Sequence, residues 1–157
     1  VALKLDPQGS TDNFYADDTV WFTGVSNTGF SGNMDFYGDV PAAIISQMLG
    51  ETVDTNGGVY GTTDDVPNPF ALVFEVQGDA AARRTVYYHV TAARASDDNS
   101  TKEDKISPAK YSFSITAIAE TINGKPVTHY TVNAVDSAKA YAAMITAIPL
   151  PDATYEG

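Results

Sequence analysis

The sequence predicts a mainly β domain carrying two short helices. Three observations lead there: apolar residues that recur at every second position, turn signals that separate these stretches, and two segments whose apolar spacing is helical. "TVWFTGV" (Thr19–Val25) is β-branched and aromatic, as a strand should be. "GFSGNMDFYG" alternates Phe30, Gly32, Met34 and Phe36 against Ser31, Asn33, Asp35 and Tyr37, the pattern of a strand with unlike faces. "DVPAAIISQMLGE" reads as a helix, with Pro41 near its first turn, a stripe of Ile44, Ile45, Met48 and Leu49, and Gly50 as its stop.

"PFALVFEVQGDAAARRTVYYHVTAAR" reads as a hairpin. Phe70, Leu72, Phe74 and Val76 share one face, Gly78-Asp79 begins the turn, and Val86, Tyr88 and Val90 return. "KYSFSITAIA" alternates Tyr111, Phe113 and Ile115 against serine and threonine. "KPVTHYTVNAV" is a further strand, entered through the turn signal Asn123-Gly124. "DSAKAYAAMITAIPLP" is alanine-rich, with Asp136 or Ser137 as N-cap, and predicts a helix over residues 137–148 that ends before Pro149. Two long polar loops remain, residues 51–69 and 94–108, and loops of that length are functional or disordered. No repeat or linker divides the chain, so residues 1–157 read as a single domain.

Charge and composition remove several function classes. The net charge is −11, and it is uneven: residues 1–80 hold twelve acids and one base, while residues 81–157 hold eight of each. Such a field repels polyanions, which argues against a nucleic-acid grip. There is no cysteine, so disulfides, thiolate catalysis and cysteine zinc sites are excluded. No apolar run approaches the roughly 18 residues of a membrane span. The chain opens with "VALKL", lacking an initiator Met and a signal-peptide pattern, so further N-terminal residues are expected.

The candidate chemistry is thin. "YADD" (Tyr15 to Asp18) matches the metal box of reverse transcriptases, but polymerase chemistry needs a third carboxylate and a cationic template groove. Bases for that groove are missing from the whole first half, so Asp17 and Asp18 are read as polarising a loop ahead of a strand. "DTNGGVYGTTDD" departs from a calcium loop, with Val59 at the sixth position and Asp65 at the twelfth. His89 and His129 lie on strand patterns among aromatics and read as packed or surface histidines. "RRTVYYH" interleaves bases and aromatics, yet reads as a cationic strand edge that pairs with acidic neighbours. Asn99-Ser100-Thr101 is a glycosylation sequon that matters only in a secreted protein. No catalytic, metal or cofactor site is expected.

The order of the segments carries more. "NFYADDTVWFTGVSNTGFSGNMDF", then "VPAAIISQMLGETVDTNGGV", "PFALVFEVQGDAAARRTVYYHVTAAR" and "KEDKISPAKYSFSITA" follow one another between about residues 13 and 117. Seven short motifs in that order resemble the major tail, or tail tube, protein of long non-contractile-tailed bacteriophages (siphophages). Residues 136–157, a C-terminal helix and tail, lie outside the resemblance.

The resemblance implies a tail-tube-type β-sandwich or split barrel with a flanking short helix. Six subunits would form a ring, and rings would stack into the conduit for DNA ejection. Its partners would be other copies of itself, the tape measure protein and transiting DNA held without specificity in the lumen, and other tail proteins at the tube ends. No membrane is implied, and the location would be the virion, with host cytoplasm during assembly. An acidic wall lets DNA slide where a basic one would arrest it, so Asp17, Asp18, Asp35, Glu75 and Asp79 are the candidate lumen acids. Asp54, Asn56, Gly57, Tyr60, Asp64 and Asp65 mark a candidate inter-subunit or inter-ring loop, and at least one of residues 51–69 and 96–108 is expected to be ordered by touching a neighbouring subunit or ring. A secreted or cell-surface β-sandwich binding module is the alternative, and a hydrolase with a dispersed carboxylate pair is a third class.

Overall fold

A computed structural model of the chain describes residues 1–16, 19–38, 40–94 and 110–155. The chain is mainly β, and its strands form antiparallel ladders with the hydrogen-bonded order β1-β4-β9-β8-β12, β7 also pairing with β8. Here β1 is Ala2–Gln8, β4 Gly29–Tyr37, β7 Phe70–Glu75, β8 Arg83–Ala92, β9 Lys110–Ile118 and β12 His129–Asn133. Two compact units share these strands: Val1–Asn68 with Thr91–Thr116, and Pro69–Val90 with Ala117–Gly157.

The first unit is organised by one long hairpin. Strand β1 pairs with β4 from Ala2↔Asp35 to Gln8↔Gly29. The ladder continues through Thr28 N–H to the Gln8 carbonyl and Ser26 N–H to the Ser10 carbonyl, each 2.9 Å. It then runs into β2 (Thr11–Ala16) and β3 (Thr19–Val25), paired from Thr11↔Val25 to Ala16↔Thr19. The sequence reading found β3 and β4 but neither β2, read as part of a loop, nor β1, whose Lys4, Asp6 and Pro7 mask the alternation of Leu3 and Leu5. Those residues suit an edge strand, where charge and proline discourage further pairing. Gly32 explains part of the glycine pattern in β4: a Cβ there would overlap the Lys4 carbonyl oxygen.

Helix α1 (Ala42–Leu49) follows its expected limits. Pro41 occupies the N-cap, and Gly50 ends the helix in the left-handed region at φ 74°. A Cβ on Gly50 would also overlap the Val66 carbonyl, so a larger residue is doubly disfavoured. Met48 and Leu49 are buried as the stripe predicts, whereas Ile44 is 48% exposed. Within β9, Phe113 and Ile115 are buried and Ser114 and Thr116 exposed, as alternation requires. Phe113 meets Phe36 edge-to-face, with centroids 6.0 Å apart.

The second unit packs helix α2 (Ala138–Ala143) on β8 and β12. Val86, Val132, Ala140 and Met144 form its buried cluster, with Ala71, Tyr88, Tyr130, Tyr141 and Tyr155 against it. Arg84 clamps the helix: Nε meets Glu75 at 2.6 Å, Nη1 donates to the Tyr141 carbonyl at 2.8 Å, and the guanidinium lies 3.8 Å over the Tyr141 ring. The Asn123-Gly124 turn is found as expected, both residues at positive φ, joining β10 (Glu120–Ile122) to β11 (Lys125–Val127).

Two expectations for this unit need correction. Helix α2 covers six residues rather than residues 137–148. After Ala143 the bonds tighten, with Ile145 and Thr146 N–H donating three residues back to Ala142 and Ala143. The Thr146 hydroxyl also takes the Ala143 carbonyl, and β-branched residues ahead of Pro149 disfavour another α-turn. The expected hairpin face also splits. Val73 stands opposite Val86, and Leu72 opposite Tyr87 after a register shift between Phe70 and Leu72. Ala71 therefore meets the Val86 cluster, while Phe74 stacks on Tyr87 with centroids 6.0 Å apart. Val76 lies beyond the strand and is exposed.

These burial differences predict unequal mutational costs. Phe113→Ala should lose about 3–5 kcal/mol, because a wholly buried ring leaves a cavity. Ile44→Ala should change stability by no more than about 0.5 kcal/mol. Urea unfolding of the two variants checks this.

Candidate assembly surfaces

The 51–69 loop has an ordered conformation built from its own residues. It contains a small hairpin, β5 (Thr52–Val53) with β6 (Val59–Tyr60). Asp54 organises the turn by accepting from Gly58 N–H at 2.7 Å, Asn56 N–H at 2.9 Å and Asn56 Nδ2 at 3.3 Å. Gly57 supplies the positive φ of 84° that the turn needs. Asp65 closes a second turn, accepting from Thr62 N–H at 2.6 Å and from the Thr62 hydroxyl at 2.7 Å. Asp64 donates its N–H to the same hydroxyl at 3.3 Å. Asn68 then ties the loop back to α1, its Nδ2 donating to the Gln47 carbonyl at 2.8 Å.

Arg94 binds these turns together. Its Nη2 donates to the Thr62 carbonyl at 3.0 Å and lies 3.6 Å from Asp65, while Nε lies 3.7 Å from Glu51. Sequence reasoning missed this residue, because its three partners are 29, 32 and 43 positions away and nothing local marks them. At least one of the two polar loops was expected to require a neighbour for order, since both have few apolar anchors; the second, residues 96–108, lies outside the described residues. In the 51–69 loop, carboxylate-to-backbone bonds replace the missing apolar contacts. The large apolar residues it does have are exposed: Val53 and Val59 directly opposite each other, Tyr60 and Val66.

The five candidate lumen acids fare differently. Asp17 and Asp18 lie outside the described residues. Asp35 accepts a 2.6 Å bond from the Ser112 hydroxyl. Glu75 pairs with Arg84, and Asp79 pairs with Arg83 Nε, both at 2.6 Å. The Arg83 bond leads the causes that hold the Asp79 carboxyl below its ordinary value, with help from Ala81 N–H. Glu75 and Asp79 thus present near-neutral pairs, not bare charge. The cationic strand edge read in "RRTVYYH" pairs with acids as expected.

Other chemistry is sparse. His89 Nδ1 lies 2.7 Å from Glu120, and that bond lowers the Glu120 pKa. His129 packs against Tyr87 with ring centroids 5.7 Å apart. A cleft of about 490 Å³ beside the β7–β8 turn is lined by Phe74, Gln77, Asp79, Arg83 and Thr131, its acid and base neutralising each other. Among the described residues no three His, Asp or Glu side chains converge as a metal site, and no helix is long and apolar enough to cross a membrane. No family model, curated protein or solved structure matches the chain.

The loop carries a pH signature. Backbone donation from Gly58 leads the causes that lower the Asp54 pKa, and the Thr62 hydroxyl leads those that lower Asp65. A depressed folded-state pKa contributes stability above the ordinary value of 3.8, and that contribution is lost as pH falls through the lower folded value. Amide exchange at Gly58 and Thr62 should therefore stay protected, after correction for intrinsic rates, from pH 7 to about 4 and open only below that. Asp54→Ala should remove the protection at Gly58 throughout.

Proposed function

We propose that this chain is a structural subunit of a siphophage tail tube, six copies forming a ring and rings stacking into the DNA conduit. The observation that carries the reading is the order of seven short motifs between about residues 13 and 117. Their residues have architectural tasks in the fold. Gly32 admits the β1 backbone, Gly50 caps α1, Asp54 and Gly57 set a turn, and Asp79 closes the β7–β8 turn through Ala81 and Arg83. That use of glycine and aspartate favours scaffold over catalyst.

The tube's partners would be further copies of the chain, the tape measure protein and non-specifically held DNA in the lumen, and other tail proteins at the ends. Its place would be the virion, after assembly in the host cytoplasm. Antiparallel sheets whose outer strand is β1 suit a ring, where neighbours cover edges that a monomer must guard. A wall with net negative charge would let the duplex pass without the counterion-release cost of phosphate contacts.

Negative-stain microscopy of the purified chain tests the reading. Rings or tubes are expected; a monomer at high concentration with glycan affinity, or with turnover, would replace it by a binding module or a hydrolase. Glu75 supplies a finer check. Glu75→Lys would set a second cation against a mostly buried Arg84, so it should lower subunit stability by roughly 1–3 kcal/mol rather than only recharge a wall. Thermal unfolding of that variant separates these effects.

A further inference from the structure

The second unit carries a cleft on the sheet face turned away from helix α2. Register places its floor. Phe74 and Thr131 both stand opposite Thr85, so these three side chains form one row across β7, β8 and β12. Val86 and Val132, next along their strands, belong to the cluster under α2 on the other face. Beside the row, the β7–β8 turn makes the wall of the 490 Å³ cleft, a volume within the roughly 300–1,000 Å³ of small-molecule sites. That wall is preorganised. Asp79 accepts from Ala81 N–H at 3.1 Å and from Arg83 Nε at 2.6 Å, and Ala82 N–H donates to the Asp79 carbonyl at 2.9 Å.

The polar groups around the floor have spare capacity. Among the described residues, Arg83 Nη1, Arg83 Nη2 and the Gln77 amide donate to no protein group. The Thr85 and Thr131 hydroxyls bond each other at 2.9 Å, which uses one of their two protons. Phe74 is half-buried, with its ring nearly parallel to that of Tyr87, 6° between their planes.

We propose that this cleft binds a neutral pyranose unit of a carbohydrate. A pyranose has faces of C–H groups and a rim of adjacent hydroxyls, each both donor and acceptor. Phe74 gives the C–H face an apolar surface. The Arg83 fork and the Gln77 amide supply paired donors to adjacent oxygens, and Asp79 supplies an acceptor. Charge selects the class. Arg83 and Asp79 are the only charged groups lining the cleft among the described residues, and they neutralise each other. The cleft therefore draws neither anions nor cations, and the net charge of −11 repels polyanions. The inference rests on the second unit alone and not on the tube reading.

The test titrates the full chain, followed by the nuclear magnetic resonance of its backbone amides. The probes are neutral hexamers of glucose in starch-type and cellulose-type linkage, of mannose, of galactose and of N-acetylglucosamine, with a hexamer of glucuronate as anionic control. At least one neutral hexamer should shift the Gly78, Arg83, Thr85 and Thr131 amides, with a Kd below about 1 mM. Phe74→Leu and Gln77→Ala should each weaken that binding about 3–10-fold. Arg83→Lys should weaken it as well, although charge is kept, because an ammonium cannot fork to two oxygens. If Phe74→Leu does not fold, the other two variants decide. Silence of the cleft amides toward every neutral hexamer at about 10 mM would overturn the site. So would tighter binding of the glucuronate hexamer, or folded Gln77→Ala and Arg83→Lys variants that bind as the wild type does. Rings or tubes without cleft shifts overturn the site and leave the tube reading standing. A monomer with cleft shifts upholds the site and overturns the tube.

Discussion

Register in the long hairpin is the constraint on which the first unit depends. The ladder from Ala2↔Asp35 to Ala16↔Thr19 shifts by one residue twice, between Gln8↔Gly29 and Thr11↔Val25 and again between Phe14 and Tyr15. Strand side chains alternate with a period of two, so a one-residue slip at the base would carry Met34 from the buried face to the other. Gly32 resists that slip, because a residue with a Cβ at that place in the ladder would overlap the Lys4 carbonyl oxygen. The side-chain pair of Asn13 and Thr23 and the contact of the Ser10 and Ser26 hydroxyls at 2.9 Å fix the register again further out. Polar bonds at exposed positions are individually weak, yet they choose between registers of similar apolar content.

Away from the ladders, aspartate does the work that apolar anchors do in larger domains. Asp54, Asp65 and Asp79 each accept backbone N–H groups within a few residues, and each turn so formed meets or contains a glycine or threonine. The acids that give the chain its charge are in part the acids that hold its loops. Removing charge would remove structure with it, which explains how a polar 51–69 segment stays ordered without a hydrophobic cluster.

Much of this was legible in the sequence where one residue's environment is set by its near neighbours. Alternation located β4 and β9, β-branched and aromatic content located β3, and proline and glycine bounded α1, because those signals are local. The seven-residue strand β1 was hidden by the charged and proline residues that protect an edge. The length of α2 was overestimated because alanine content speaks for a helix while Thr146 and Pro149 end it. The β7 and β8 strands were found, but their register was not, since it depends on Ala71 fitting beneath a distant helix. Arg94, joining Glu51, Thr62 and Asp65, is a long-range fact with no short-range trace.

Ion pairing redistributes the acidity that composition alone assigns to the whole first half. Asp6 faces Lys4, Glu51 and Asp65 share Arg94, Glu75 holds Arg84, and Asp79 holds Arg83. Two of the named lumen candidates are thereby close to neutral at any distance beyond their own pair. Asp12, Asp54 and Asp64 carry no ion pair among the described residues, while Asp17, Asp18 and Asp39 lie outside those residues. Screening confines a surface charge to about 8 Å at physiological salt, so the position of this subset matters more than the total of −11.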